Sequence, residues 1–193
     1  MKLLIVGDSF AADWTAKHPG CQGWPNLLSD TDNVTNIAQA GCSEYRIYQQ
    51  LKSQNLNDYD GVIISHTSPY RLYVPAHPVH KNDVLHANSD LIYEDVREHK
   101  LASLIEYFEK YFDLEYAEFV HTLIGKEIDS LTKNVFSLHL WHVPGNLPCE
   151  PKYKLDCTTI WKNNPGLINH YSDKGNKIIY NSVRQQLALA SST

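Results

Sequence analysis

Four short apolar runs recur along the chain, with stretches of helical character between them. The runs cover residues 3–6, 34–38, 61–65 and 135–141. Strands that alternate with helices in this way are typical of parallel βαβ units. The chain has 193 residues, 42% of them hydrophobic, which is enough material for the core of one such domain. The sequence therefore predicts a single α/β domain over residues 1–193, with helices on both faces of a mostly parallel central sheet.

Several segments between the strand runs have the residue spacing of helices. Residues 23–29 and 43–53 are predicted as short helices, the second with Ser43 as its N-cap. The last helix is predicted to begin near Ser172 or Asp173 and to end in a frayed polar tail.

Two apolar stripes at three-and-four spacing predict helical faces that turn toward the core. They are formed by Leu101, Leu104, Ile105, Phe108 and Phe112, and by Val120, Leu123, Ile124, Ile128 and Leu131. Residues 65–88 and 142–168 are instead rich in proline, asparagine and histidine, and are predicted as long irregular loops. Because both loops follow a strand, we expect them to lie beside the ligand crevice of the sheet.

Charge and composition exclude several classes of protein. The formal net charge of −5 gives no electrostatic reason to expect nucleic acid or an anionic membrane as a partner, and no stretch approaches a transmembrane span. Gly7-Asp8 breaks the apolar start of the chain before it could serve as a secretory signal, so the sequence predicts a cytoplasmic protein. The four cysteines lack CxxC spacing, which argues against a zinc ribbon or a redox pair, and no disulfide is predicted.

Ser9 is the first candidate for chemistry, because it follows the first apolar run directly in Gly7-Asp8-Ser9. A small hydroxyl residue at the carboxyl end of a buried parallel strand lies where open α/β sheets form their ligand crevices. The alternative is an ordinary strand-to-helix turn in which Asp8 or Ser9 caps the next segment.

Two further segments favour the catalytic interpretation. Asn36 to Ser43 runs from a strand end into a helix start through Gly41, whose unobstructed N–H suits an oxyanion donor. Residues 169–176 form a polar loop before the last helix and contain His170, and imidazole is the usual general base for a serine. Taken alone, the glycine could merely relieve a tight turn, and the histidine is one of ten in the chain.

Together these segments resemble the blocks of the SGNH/GDSL hydrolase family. About ten positions, spread over almost the whole chain, carry the resemblance: Gly7-Asp8-Ser9, Asn36 to Gly41, and His170-Tyr171-Ser172 with Gly175. The resemblance implies a three-layer, flavodoxin-like α/β sandwich. It further implies that Ser9 is the nucleophile, that His170 is the base, and that the backbone N–H groups of Ser9 and Gly41 stabilise the oxyanion. Such acyl chemistry requires no metal or organic cofactor.

Two blocks depart from the family pattern. The asparagine that donates to the oxyanion after the third strand is absent, and Thr67 or Ser68 is the candidate replacement. The aspartate three residues before the histidine is replaced by Leu167. His170 would then be oriented by a backbone carbonyl, by Asp173 or Asp156, or by no partner at all.

Substrate contacts are predicted at the same edge of the sheet. Arg71 could bind a carboxylate or phosphate of the substrate, and Tyr70 and Trp14 could form an aromatic rim for a sugar ring or an acyl group. The sequence therefore predicts a serine esterase that acts on a small-molecule or glycan ester. An acyltransferase with the same residues, or a degenerate domain that binds a glycan or protein, are the alternatives, and the oligomeric state stays open.

A separate group of histidines is a second candidate site, for a metal ion. His77, His80 and His86 lie near Asp83, with His66 upstream. Dense imidazoles can bind zinc, yet this spacing matches no recognised finger. The sequence favours a solvated or substrate-facing loop here, and no metal is predicted.

Overall fold

The structure, a computed structural model, describes residues 1–190. Strands and helices alternate through that range. The strands are β1 (Lys2–Gly7), β2 (Asn33–Asn36), β3 (Gly61–Ser65), β4 (Phe136–Trp141), β5 (Tyr153–Asp156) and β6 (Pro165–Ile168). The helices are α1 (Trp24–Ser29), α2 (Glu44–Lys52), α3 (Tyr93–Glu98), α4 (Ala102–Lys110), α5 (Leu114–Thr132), α6 (Thr158–Asn163) and α7 (Asp173–Ala190).

Five of the strands form one parallel sheet in the order β2-β1-β3-β4-β5. This is the doubly wound order of flavodoxin-like folds, and it confirms the predicted α/β sandwich. The chain leaves β1 toward one edge of the sheet and then returns past β1 to build the other edge. The strand order therefore reverses between β1 and β3, and ligands of such sheets bind beyond the carboxyl ends of the strands at that point.

Side chains of β1 alternate between two separate cores. Leu3 and Ile5 pack on the face covered by α1 and α7. Leu4 and Val6 pack on the opposite face, which α2 and α5 cover. All four side chains are fully buried, which explains why the strand reads as a continuous apolar run and not as an alternating one.

The predicted strands and the predicted helices α1, α2 and α7 are confirmed, with bounds that shift by no more than two residues. Ser43 caps α2, because its hydroxyl accepts a hydrogen bond from the Arg46 N–H at 3.4 Å. The end of the predicted frayed tail, residues 191–193, lies outside the described residues.

The prediction of an irregular segment over residues 142–168 was wrong. That segment contains β5, α6 and β6. β5 is a four-residue strand at the edge of the sheet, and its side chains are half-buried or exposed, so it lacks the apolar run that marks the inner strands. Residues 66–88, all of which the structure describes, contain no helix or strand, apart from a bridge between Leu72 and Leu91.

The two apolar stripes turn toward the core less completely than predicted. Ile128 of α5 is fully buried, but Leu123 is 49% exposed, so its assignment to the core was wrong. The first stripe is only half-buried, because α4 packs mainly on α3 and borders a surface groove. None of the helices described within residues 1–190 has the length and apolarity needed to cross a bilayer.

The side chain of Gln50, on α2, makes hydrogen bonds to the backbone at the end of β1. We predict that these bonds stabilise the folded chain. Its Oε1 accepts a hydrogen bond from the Gly7 N–H at 2.8 Å, and its Nε2 donates to the Gly7 carbonyl at 3.2 Å. Gln50→Met keeps the volume but removes both bonds, and we expect a loss of about 1–3 kcal/mol in the free energy of unfolding, measured by urea denaturation.

Gln49→Met is the matched control. Gln49 is half-buried on the same helix, and its side chain makes no hydrogen bond to any residue that the structure describes. We expect a change within about 0.5 kcal/mol for this variant. Equal losses in the two variants would contradict the proposed role of the Gln50 bonds.

Candidate active site

Ser9 lies in a tight turn at the point where the strand order reverses. The Asp8 carbonyl accepts hydrogen bonds from the N–H groups of Ala11 and Ala12, and the Asp8 carboxylate accepts one from the Phe10 N–H at 3.0 Å. Asp8 is therefore the capping residue of this turn, one of the two that the alternative interpretation named. The Ser9 hydroxyl is left free of capping.

The Ser9 hydroxyl meets His170, which lies 161 positions later in the chain. The distance from Ser9 Oγ to His170 Nε2 is 2.8 Å. A narrow hairpin presents the imidazole: β6 bridges back to Tyr171, and the Gly166 N–H donates to the His170 carbonyl at 3.1 Å. The structure thus joins the candidate nucleophile and the candidate base within hydrogen-bond distance.

The tip of that hairpin is a strained pair of residues. Asn169 and His170 have φ angles of 50° and 62°, in the left-handed region that side chains with a Cβ rarely adopt. Such residues persist only where surrounding contacts hold them, and they cluster at functional sites. The contacts of Asn169 supply that restraint.

Asn169 holds the nucleophile turn and the base together. Its Nδ2 donates to the carbonyls of Ser9 and Ala12, at 3.2 and 2.9 Å. The Trp14 indole N–H also donates to the Ser9 carbonyl, at 2.9 Å. Asn169 is not among the residues predicted from the sequence, although the tolerance of asparagine for positive φ and its place next to His170 were available signals.

Aromatic packing, and not a carboxylate, orients His170. Its ring lies 4.5 Å from the Phe10 ring and 5.8 Å from the Trp14 ring, centre to centre. Within residues 1–190, no carboxylate oxygen lies within 4.0 Å of a His170 ring nitrogen. Asp156 instead accepts from the Thr158 N–H, and Asp173 begins α7. The site is therefore a serine–histidine pair without a third acidic member.

The surroundings of His170 keep it neutral. Burial, reinforced by the positive charges of Arg71 and His86, lowers the pKa of His170 from 6.5 to about 4. Its Nε2 lone pair is therefore available at neutral pH to accept the Ser9 hydroxyl proton.

A cavity of about 190 Å³ opens above the Ser9–His170 contact, and Trp14, Gly41 and Arg71 line it with them. Gly41 has a φ of 75°, and an added Cβ there would come within 2.5 Å of Ser89 Cβ, so the position requires glycine. The backbone N–H groups of Ser9 and Gly41 donate to no other group in the described part of the chain. Both are free to bind an oxyanion in the cavity.

Thr67, Ser68 and Tyr70 do not line this cavity, which makes them poor candidates for the predicted oxyanion and substrate contacts. The buried Thr67 hydroxyl accepts from Arg71 Nε at 3.2 Å and also bonds to the Asp8 carboxylate. Ser68 faces a neighbouring groove, and Tyr70 is 48% exposed outside the cavity. The Thr67 hydroxyl is therefore already engaged by Arg71 and Asp8.

Arg71 occupies the wall that Thr67 and Ser68 leave open. In the described part of the chain, no carboxylate oxygen lies within 4.0 Å of its guanidinium. Its charge nevertheless acts on the site, because it opposes the effect of burial, which raises the pKa of the Asp8 carboxyl from 3.8 to about 6. An unpaired cation beside a nucleophile suits a developing negative charge.

The opposite wall of the cavity comes from the histidine-rich loop. The Asp95 carboxylate accepts hydrogen bonds from His77 Nε2 at 2.8 Å and His80 Nε2 at 3.3 Å, and His99 Nε2 lies 3.4 Å from it. The group of His77, His80 and Asp95 is compact enough for a metal ion. However, His77 Nδ1 accepts from two backbone N–H groups at 3.1 Å, so Nε2 carries the proton and donates to Asp95. This tautomer favours the substrate-facing interpretation of the loop.

No family model matches the chain, and no curated protein does. Among solved structures, one from Desulfitobacterium hafniense DCB-2, described as a "putative lipolytic protein of G-D-S-L family", is similar over 96% of this chain and 99% of that one. The sequence identity is 15% and the TM-score is 0.38. A likeness at this level carries no argument about function.

Proposed function

We propose that the protein is a serine hydrolase of small, polar carboxylic esters, with Ser9 as nucleophile and His170 as general base. The observation that carries the proposal is the 2.8 Å contact between Ser9 Oγ and His170 Nε2, beside two free backbone N–H groups. A nucleophile within hydrogen-bond distance of a neutral base is the arrangement that acyl transfer requires.

The reaction would proceed in two steps. Ser9 Oγ attacks the ester carbonyl carbon while His170 takes the hydroxyl proton, and the carbonyl oxygen becomes an oxyanion held by the Ser9 and Gly41 N–H groups. His170 then gives that proton to the departing alcohol oxygen, which leaves an acyl-Ser9. A water molecule attacks the acyl carbon as His170 accepts its proton, and the same proton returns to Ser9 as the acid departs.

Arg71 is proposed to replace the amide donor of the missing asparagine. Its guanidinium lines the cavity with Ser9 and Gly41, while Thr67 fixes only its Nε. The remaining N–H groups can therefore donate to the oxyanion or to a polar group beside the ester. This assignment takes the place of Thr67 and Ser68 as oxyanion donors.

The shape and lining of the cavity support a short acyl group on a hydroxylated carrier. About 190 Å³ holds an acetyl group and part of one ring, but no long acyl chain. His80, His86 and Ser89 give the opposite wall several groups that can bond to sugar hydroxyls. An O-acylated carbohydrate is therefore the proposed substrate class. Transfer of the acyl group to a second hydroxyl would use the same residues.

Covalent labelling tests the proposed nucleophile. We expect a fluorophosphonate probe to label the native chain but not Ser9→Ala, because only a serine activated by a base attacks phosphorus at neutral pH. Hydrolysis of p-nitrophenyl acetate should fall about 1,000-fold or more in Ser9→Ala and in His170→Ala. Ser68→Ala is the matched control, since Ser68 lies outside the cavity, and it should react like the native chain. A folded native chain that resists the probe would leave the binding domain as the better account.

The pH dependence of catalysis tests the electrostatics of His170. Its pKa of about 4 predicts that kcat/KM stays high down to that pH and falls only below it. Removing a neighbouring positive charge favours protonation, so Arg71→Gln should move the acid limb upward and reduce kcat about 100-fold. Arg71→Lys keeps the charge, and its limb should stay near that of the native enzyme.

Asp8→Asn provides the control for this pH experiment. The Asp8 carboxyl, which precedes Ser9 directly, has a pKa raised to about 6 and therefore also titrates in the acid range. The limb at about pH 4 should persist in Asp8→Asn if it belongs to His170. A limb that disappears with Asp8, or that ignores Arg71→Gln, would contradict the assignment.

Asn169 is proposed as a positioning residue, and Asn169→Gly tests this role. Glycine tolerates the positive φ but lacks the amide that bonds to the Ser9 and Ala12 carbonyls. We expect kcat to fall about 10- to 100-fold with little change in KM, because the hydroxyl and the imidazole lose their alignment. The acid limb should not move, since no charge is removed. A change confined to KM would instead assign Asn169 to substrate binding.

A further inference from the structure

A second group of buried ligand-type side chains lies away from the Ser9 cavity. His66 follows β3, His139 belongs to β4, and Cys149 lies in the segment after β4. These residues are at most 4% exposed, and none of them lines the Ser9 cavity. His66 Nε2 lies 2.8 Å from His139 Nδ1, which in turn lies 3.6 Å from Cys149 Sγ.

The outer nitrogens of the two imidazoles both face carboxylates. His66 Nδ1 lies 2.5 Å from a Glu44 oxygen. His139 Nε2 is buried without a hydrogen-bond partner among the described residues, and the nearest acid is an Asp129 oxygen at 4.0 Å. A carboxylate keeps the proton on the nitrogen that faces it. The Glu44 carboxylate therefore keeps the proton of His66 on Nδ1, and the lone pair of His66 Nε2 faces His139 Nδ1 at 2.8 Å. A metal ion between the two rings would move the proton of His139 from Nδ1 to Nε2, the nitrogen that faces Asp129, and so free the second lone pair.

We propose that His66, His139 and Cys149 bind one zinc ion. Two imidazoles and a thiolate are ligands that zinc prefers, and the carboxylates of Glu44 and Asp129 would orient the rings from outside. Zinc lies about 2.0–2.1 Å from nitrogen and about 2.3 Å from sulfur, so a tetrahedral site places nitrogen and sulfur about 3.5 Å apart. The Nδ1 to Sγ distance of 3.6 Å agrees with that geometry. The two imidazole nitrogens must separate by about 0.5 Å to admit the ion.

Binding of the ion would release one proton and leave one coordination position. The Cys149 thiol must give its proton to solvent, because the thiolate is the ligand. A cavity of about 340 Å³ lies next to the site, with Cys149 and Asp129 in its wall, and water from it could fill the fourth position. The ion would thus join the end of β3, strand β4 and the segment after it.

The proposed zinc site lies outside the Ser9 cavity but is connected to it through the chain. Thr67 follows His66 directly, and its hydroxyl accepts the hydrogen bond of Arg71. The group of His77, His80 and Asp95 is the less suitable metal site. His77 Nε2 carries a proton that it donates to Asp95, so this nitrogen has no free lone pair for a metal. The zinc proposal does not depend on the proposed esterase activity.

Metal analysis of the full-length protein tests the proposal. We expect the purified chain, loaded with zinc and desalted, to retain about one equivalent of zinc. Loaded with Co²⁺ instead, it should show the intense visible bands of a four-coordinate ion and a thiolate-to-cobalt charge-transfer band in the near ultraviolet. A folded native chain that retains less than about a tenth of an equivalent, or whose cobalt spectrum lacks the thiolate band, would overturn the proposal.

Matched variants locate the ion. Cys149→Ser should retain less than about a tenth of an equivalent, whereas Cys157→Ser, which alters a cysteine buried in the other core, should keep about one. His77→Asn should also keep the ion, and loss of the ion in His77→Asn would move the site to Asp95 and overturn the assignment. Circular dichroism checks the folding of each variant. If Cys149→Ser does not fold, the thiolate band of the native chain decides the question.

Discussion

The contact between the turn after β1 and the hairpin at residues 165–171 is the interaction on which the rest of the site depends. Asn169 spans it, because its amide bonds to the Ser9 carbonyl while its backbone delivers His170. The sheet brings the turn to the reversal point of the strand order. The Asn169 bonds, together with the packing of Phe10 and Trp14 on the imidazole, then set the distance between hydroxyl and imidazole. A change that destabilises the hairpin would therefore also change the distance between Ser9 and His170.

Arg71 places a positive charge in the wall of the Ser9 cavity, and no carboxylate oxygen of the described residues lies within 4.0 Å of a His170 ring nitrogen. Arg71 has no acidic partner within 4.0 Å in the described range. Burial of the His170 ring and the positive charge of Arg71 together keep His170 neutral. In the proposed reaction the same guanidinium would also bind the oxyanion. One side chain would then act on both the base and the oxyanion, which links the departure in the third block to the missing aspartate in the last.

Local sequence determined the parts of this structure that could be predicted. The inner strands are buried on both faces, so each reads as an apolar run, and Gly41 marks a backbone that admits no Cβ. The remainder depends on contacts between distant segments. The role of Asn169, the inward turn of Thr67 and the placement of Arg71 on the cavity wall follow from tertiary packing, which residue spacing does not encode. Edge strand β5 was missed because half-buried strands carry a weak apolar signal.

The low pKa of His170 affects the two proton transfers of the proposed reaction differently. An imidazole with a pKa of about 4 is a weak proton acceptor, but its conjugate acid is a strong proton donor. In the proposed reaction, withdrawal of the serine proton is therefore the harder half, and protonation of the departing oxygen is the easier one. Under that proposal, the balance favours esters whose alcohol is a poor leaving group, as the hydroxyls of unactivated sugars are.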